Sequence, residues 1–146
     1  MSEDANALAV RLFSEILTSD QLLRNKLGRV LPKGMELSHF SVLNHLAGKS
    51  RERTPAQLAK SFHLTRGAMT NTLGKLECAG YIHIRPDWDD ARRKQVAISP
   101  SGRAARDAAL LEMDPVISEI VEALGSEKLR AALPFLRDLR LMLEKA

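Results

Sequence analysis

The apolar positions of this chain recur every three or four residues over most of its length, and alternate over only one short stretch. Leu8, Leu12, Phe13, Ile16, Leu17, Leu23 and Leu27 follow the first rhythm and predict an amphipathic helix over residues 4–31. Pro32 and Gly34 punctuate its end. Ser38 stands where an N-cap is expected, ahead of a helix that holds Phe40, Val42, Leu43 and Leu46 and ends near Gly48. Thr54, Pro55 and Gln57 supply a capping hydroxyl, a proline at the first helical position and the glutamine of a capping box. A short helix through Leu58, Ala59 and Phe62 follows. His63 and Leu64 make a tight turn, and Thr65 caps a second helix that runs to about Ala79, where Gly80 suits the left-handed stop. Two short helices joined by such a turn form a helix-turn-helix.

The alternating stretch comes next. Tyr81–Arg85 and Gln95–Ile98 are short and β-prone, and between them lies a charged segment, Pro86–Lys94. This pattern predicts a β-hairpin with a charged tip. A helix-turn-helix followed by a hairpin is a winged helix. Ser99 and Pro100 start another helix, expected to reach Leu124 with a kink at Pro115, and Gly125 stops it. Ser126 begins the last helix, with apolar steps at Leu129, Leu133, Leu136, Leu139 and Leu143 and an interruption at Pro134.

The fold class is therefore mainly α with one small β-hairpin. Residues 36–98 form a winged helix-turn-helix, and residues 1–35 and 99–146 form a helical domain drawn from both chain ends. The long apolar stripes of these outer helices exceed what the central unit needs for its own core. A homodimer interface buries the surplus; packing within one subunit is the alternative.

Composition narrows the function. The net charge of +4 is a modest surplus, so the placement of the cations matters more than their number. One cysteine, Cys78, excludes a disulfide framework within the chain. No apolar run is long enough to span a membrane, and the first residues are acidic, unlike a signal peptide, so a cytoplasmic protein is expected. Gly48-Lys49-Ser50 lacks the earlier glycine of a phosphate-binding loop, since position 43 is Leu43. His39, His45, His63 and His83 make no metal motif, and no nucleophile elbow occurs. Neither a cofactor nor a catalytic activity is expected.

The stretch through Leu58, Ala59, Leu64, Thr65, Leu73, Leu76, Gly80, Arg85, Asp87, Asp90, Arg92, Val96, Ile98, Ser99 and Gly102 resembles the MarR family of winged-helix regulators. The wing carries the resemblance most clearly. Asp90 and Arg92 fall on the family's Asp-x-Arg, Val96 and Ile98 on its aliphatic pair, and Gly102 is in register. Ser99 replaces a threonine, and Trp88 stands where a proline is common. The resemblance implies an obligate dimer that binds double-stranded DNA and regulates nearby genes, usually as a repressor. It also implies a small aromatic or phenolic effector in many members, and a redox cysteine in some. Those sensors usually carry their cysteine in the first helix, where this chain has none. At Cys78, the helix C-terminus and Glu77 both disfavour a thiolate.

The DNA-reading chemistry is expected in two places: a helix near residues 65–79 for the major groove and a hairpin near 85–98 for the minor groove. At 100° per residue, Met69, Thr72, Leu73 and Leu76 share an inward face. Gly67, Asn71, Gly74 and Cys78 fall opposite. Two glycines inside a helix each cost about 1 kcal/mol relative to alanine, which favours a role in close approach to the groove floor over drift on a solvated face. Asn71 suits an adenine edge. Thr70 suits a thymine methyl or a phosphate, Lys75 a phosphate, and Arg66 a guanine or the backbone. Free N–H groups at the helix starts, by Thr54 and Thr65, suit phosphates. In the wing, Arg92 is the minor-groove candidate, oriented by Asp90, while Arg93 and Lys94 face phosphates. A solvated charged loop is the plain alternative. Lys49, Arg51 and Arg53 are either phosphate contacts or an exposed loop. A winged helix that binds only proteins is the competing function, and the charged wing and glycine stripe argue against it.

Overall fold

The computed structural model describes residues 2–48 and 52–145. They form α1 (Ser2–Val30), α2 (Leu37–Gly48), α3 (Pro55–Ser61), α4 (Arg66–Cys78), β1 (Ile82–Pro86), β2 (Lys94–Ile98), α5 (Pro100–Leu124) and α6 (Ser126–Glu144). The mainly helical fold with one antiparallel hairpin is the class expected from the periodicity. The chain divides into two compact units, one reaching Glu112 and one starting at Met113, within α5.

The first unit holds the winged helix. Its core gathers Val42, Leu43 and Leu46 from α2, Leu58 and Ala59 from α3, Met69, Leu73 and Leu76 from α4, and Ile82 and Val96 from the hairpin. Leu43, Leu58, Met69 and Val96 are wholly buried. Each such aliphatic side chain contributes about 1.5–3 kcal/mol through lost apolar surface, enough to fix the relative placement of three short helices. Phe62 packs against this core, and its ring meets His45 edge-on at 5.4 Å.

Local chemistry sets the element ends. The Thr54 hydroxyl accepts from Gln57 N at 3.1 Å, and Thr54 N donates to Gln57 Oε1 at 2.9 Å, so the expected capping box is complete. Thr65 caps α4 by accepting from Ala68 N. His63 takes a positive φ of 54° in the turn between α3 and α4. Gly80, at φ 79°, ends α4 in the left-handed region that a β-carbon disfavours.

Two local expectations are revised. The second helix starts at Leu37, so Ser38 lies inside its first turn and is not the N-cap. His39 Nδ1 instead accepts from Glu36 N at 3.2 Å and satisfies a donor at the helix start. Arg53 is not a plain loop residue. Its backbone forms an antiparallel bridge with Val96, donating at 3.1 Å and accepting at 2.7 Å, and ties the segment before α3 to the hairpin. Lys49 and Arg51 lie outside the described residues.

The hairpin pairs Ile82 with Ile98 and Pro86 with Lys94. Its base is fastened to α5 through Ser99. The Ser99 hydroxyl donates to Gly80 O at 2.6 Å and accepts from Gly102 N at 2.9 Å. A β-carbon at position 102 would lie 2.0 Å from Tyr81 O, so only glycine permits this crossing.

α1 leaves the winged helix with an exposed apolar series, among them Leu8, Phe13, Leu17 and Leu23. In the second unit, α5 runs unbroken past Pro115 and Gly125 takes φ 89° before α6. α6 is likewise continuous through Pro134 and has no buried residue; Leu129, Leu133, Leu136 and Leu143 are exposed. No helix among the described residues is long and apolar enough to cross a membrane.

Candidate nucleic-acid interface

α4 presents two faces, as its periodicity requires. Met69, Leu73 and Leu76 are buried and Thr72 is partly so. Arg66, Gly67, Thr70, Asn71, Gly74, Lys75 and Cys78 are all exposed. At Gly67 and Gly74 an added β-carbon would meet nothing within 4 Å. Packing inside the protein therefore does not explain either glycine.

The wing is built by its own aspartates. Asp87 N donates to Arg93 O at 3.0 Å and closes the tip. Asp87 Oδ1 accepts from Asp89 N at 2.8 Å and Oδ2 from Gln95 Nε2 at 2.9 Å. The Asp89 N–H, followed by the Gln95 amide, holds the Asp87 carboxyl below its ordinary value. Asp90 Oδ1 accepts from both Arg92 N and Arg92 Nε at 3.1 Å. These bonds, the side-chain one first, likewise lower the Asp90 pKa. Asp90 thus aims the Arg92 side chain, which is 92% exposed, without burying it.

Helix and wing meet in a groove of about 440 Å³. Arg66 and Thr70 of α4, Thr54, Pro55 and Ala56 at the start of α3, and Arg92, Arg93 and Lys94 of the wing line it. Its lining carries four cations and no acid, a composition that attracts a polyanion. Gly67, Asn71 and Gly74 are not among the lining residues but lie on the exposed face of the same helix. Lys75 has a different neighbourhood. It lines a second cavity of about 560 Å³, together with Pro32, Lys33, Met35, His39, Leu76 and Tyr81.

One cluster escaped the sequence reading. Arg85 forms an ion pair with Glu52 and lies over the Trp88 ring, its guanidinium carbon 4.8 Å from the centroid. Glu52 and Arg85 come together only through the Arg53–Val96 bridge and the pairing of β1 with β2, and no local pattern announces that.

The family model that matches the sequence, over residues 33–93, is that of the MarR family. The winged helix is a MarR-family domain. No curated protein matches the chain. Among solved structures, a mutant MarR from E. coli complexed with operator DNA superposes with a TM-score of 0.81 at 21% identity, covering 90% of this chain and 94% of that one. The transcriptional regulator BldR from Sulfolobus solfataricus gives 0.77 at 22%, covering 94% and 96%. The PcaV transcriptional regulator from Streptomyces coelicolor, in complex with its natural ligand, gives 0.72 at 15%, covering 88% and 89%. At these identities the likeness establishes the fold, and it extends beyond the MarR-family segment to the flanking helices. Asp90 and Arg92, matched to the family's wing motif by sequence, are hydrogen-bonded partners in the wing.

Proposed function

We propose that the chain is a dimeric transcriptional regulator, a repressor, that binds a pseudo-palindromic DNA operator through α4 and the wing. The observation that carries this is the acid-free groove in which Arg66 and Thr70 converge with Arg92, Arg93 and Lys94. α4 enters the major groove, with its glycine face toward the base edges and Asn71 free to pair with adenine. Arg66 and the N–H groups at the α4 start, next to Thr65, take phosphates. Arg92, steadied by Asp90, enters the adjoining minor groove, and Arg93 and Lys94 take its backbone. The operator complex of the similar E. coli protein supports this reading. The exposed apolar faces of α1 and α6 support the dimer.

The cavity beside Lys75 is the candidate effector site. Its wall is largely apolar, with Lys33 and Lys75 as cations, which suits a small aromatic or phenolic anion. Lys75 belongs to the DNA-reading helix, so a ligand held there acts directly on its position. A coupling of about 1–3 kcal/mol is enough to release the operator. The ligand-bound structure of the similar PcaV protein supports this part.

The test is binding to labelled duplex DNA across a salt series. Affinity is expected to fall steeply, with a log–log slope of about −0.9 per phosphate neutralised. Arg92→Ala is expected to lose at least about tenfold in affinity while remaining dimeric. Binding that ignores salt, or an Arg92→Ala protein with native affinity, overturns the assignment.

A further inference from the structure

Trp88 is the only tryptophan of the chain and is 85% exposed. It sits in the closed tip of the wing, four residues before Arg92. An indole so open to water is unusual for so large an apolar side chain, and it calls for a partner surface. The ring is not left to wander. Arg85 covers one side of it at 4.8 Å, and Arg85 is itself held by the ion pair with Glu52 and by donating from Nη1 to Pro86 O at 2.8 Å. Two of the carboxylates nearby are turned to other partners: Asp87 to Gln95 and the Asp89 N–H, and Asp90 to Arg92. The tip therefore presents an apolar plate resting on a fixed cation.

We propose that Trp88 is a DNA-contacting residue of the wing, packing its open face on the deoxyribose edge of the minor groove beside the Arg92 site. The inference rests on the reading that the wing enters that groove. The chemistry of the plate fits the partner. Sugar edges are apolar and repeat at every step, so they suit an indole face held flat by the guanidinium beneath it. Such a contact adds affinity without choosing a base, in the way aromatic platforms serve nucleic-acid binding generally. A protein partner would also cover an indole, but a site four residues from Arg92 on one closed tip places Trp88 against the same DNA.

Trp88 is its own reporter. Tryptophan emission and acrylamide quenching are measured while the binding of a labelled operator duplex is followed by anisotropy. On saturation the emission is expected to shift and the indole to become protected from acrylamide. Trp88→Ala is expected to weaken binding about tenfold with the salt slope unchanged, whereas Trp88→Phe keeps most of the affinity. A duplex that binds normally while Trp88 stays as accessible as in the free protein overturns this contact and leaves the regulator intact. Failure to bind any duplex overturns both.

Discussion

At the residue scale, the glycines of α4 and the carboxylate of Asp90 have separable roles. Gly74 has open space where a β-carbon would stand. Gly74→Ala is therefore expected to stabilise the free protein by about 1 kcal/mol, since alanine is the better helix former. The same methyl is expected to weaken operator binding, because it stands between the helix and the groove floor. Thermal melting and duplex titration of one variant check both; a more stable protein with unchanged affinity shows that the glycine face does not approach DNA. For Asp90, the folded pKa lies below the ordinary 3.8 because Arg92 donates to the carboxylate. A depressed carboxyl keeps its pairing above the unfolded value and loses it only as pH falls through the lower, folded value. The Asp90–Arg92 pair is thus expected to be intact throughout the neutral range. An NMR titration of the Asp90 carboxyl carbon is expected to show its midpoint below 3.8, shifted upward in Arg92→Ala.

At the scale of elements, the joint between hairpin and α5 is tightly constrained. Gly102 lets the start of α5 cross the Tyr81 carbonyl, where a β-carbon would come within 2.0 Å of the oxygen and 2.8 Å of Ile98 Cγ1. Backbone cannot yield as a flexible side chain does. Gly102→Ala is therefore expected to destabilise the fold by about 3 kcal/mol in urea unfolding, with the hairpin losing protection from hydrogen exchange first. Native stability would mean that the backbone at this crossing yields to a β-carbon. The same element shows what sequence reveals and what it hides. Gly102 was legible as a motif position and Ser99 as a helix start, because both belong to short-range patterns. The capping box at Thr54 and the Thr65 cap were legible for the same reason: capping is settled within three residues. Ser38 misled because its side-chain type fits an N-cap, while His39 reaches back to Glu36, two residues before Ser38, and satisfies the donor there. The Arg53–Val96 bridge left no trace, since a single paired residue has no alternation to display. The Glu52–Arg85–Trp88 cluster was invisible in turn, because it depends on that bridge. The groove cations, by contrast, were found one by one, and folding supplied their convergence.

For the whole molecule, the decisive question is what covers the outer helices. Leu8, Phe13, Leu17 and Leu23 of α1 are exposed, as are Leu129, Leu133, Leu136 and Leu143 of α6. In α6 these positions step by four, three and seven, so they form a single face. Soluble monomers rarely leave contiguous apolar surface of this kind open. In the proposed dimer, a two-fold contact covers such apolar surface, because each chain offers the same patch to its partner. In the proposed regulator, DNA reading gives that contact a second purpose. One winged helix engages few base edges, whereas two held about 34 Å apart meet successive turns of one DNA face. The second half-site then binds at the high effective concentration set by the first. The protein is accordingly expected to sediment as a dimer at micromolar concentration. Leu133→Arg combined with Leu136→Arg is expected to yield monomers whose helical content remains high and whose α4 and wing are unaltered. Their affinity for a single half-site is expected to match that of the native protein, while affinity for the full operator drops by about a hundredfold or more. A native chain that sediments as a monomer, or a monomeric variant that holds the full operator undiminished, would separate the reading of DNA from the pairing of chains.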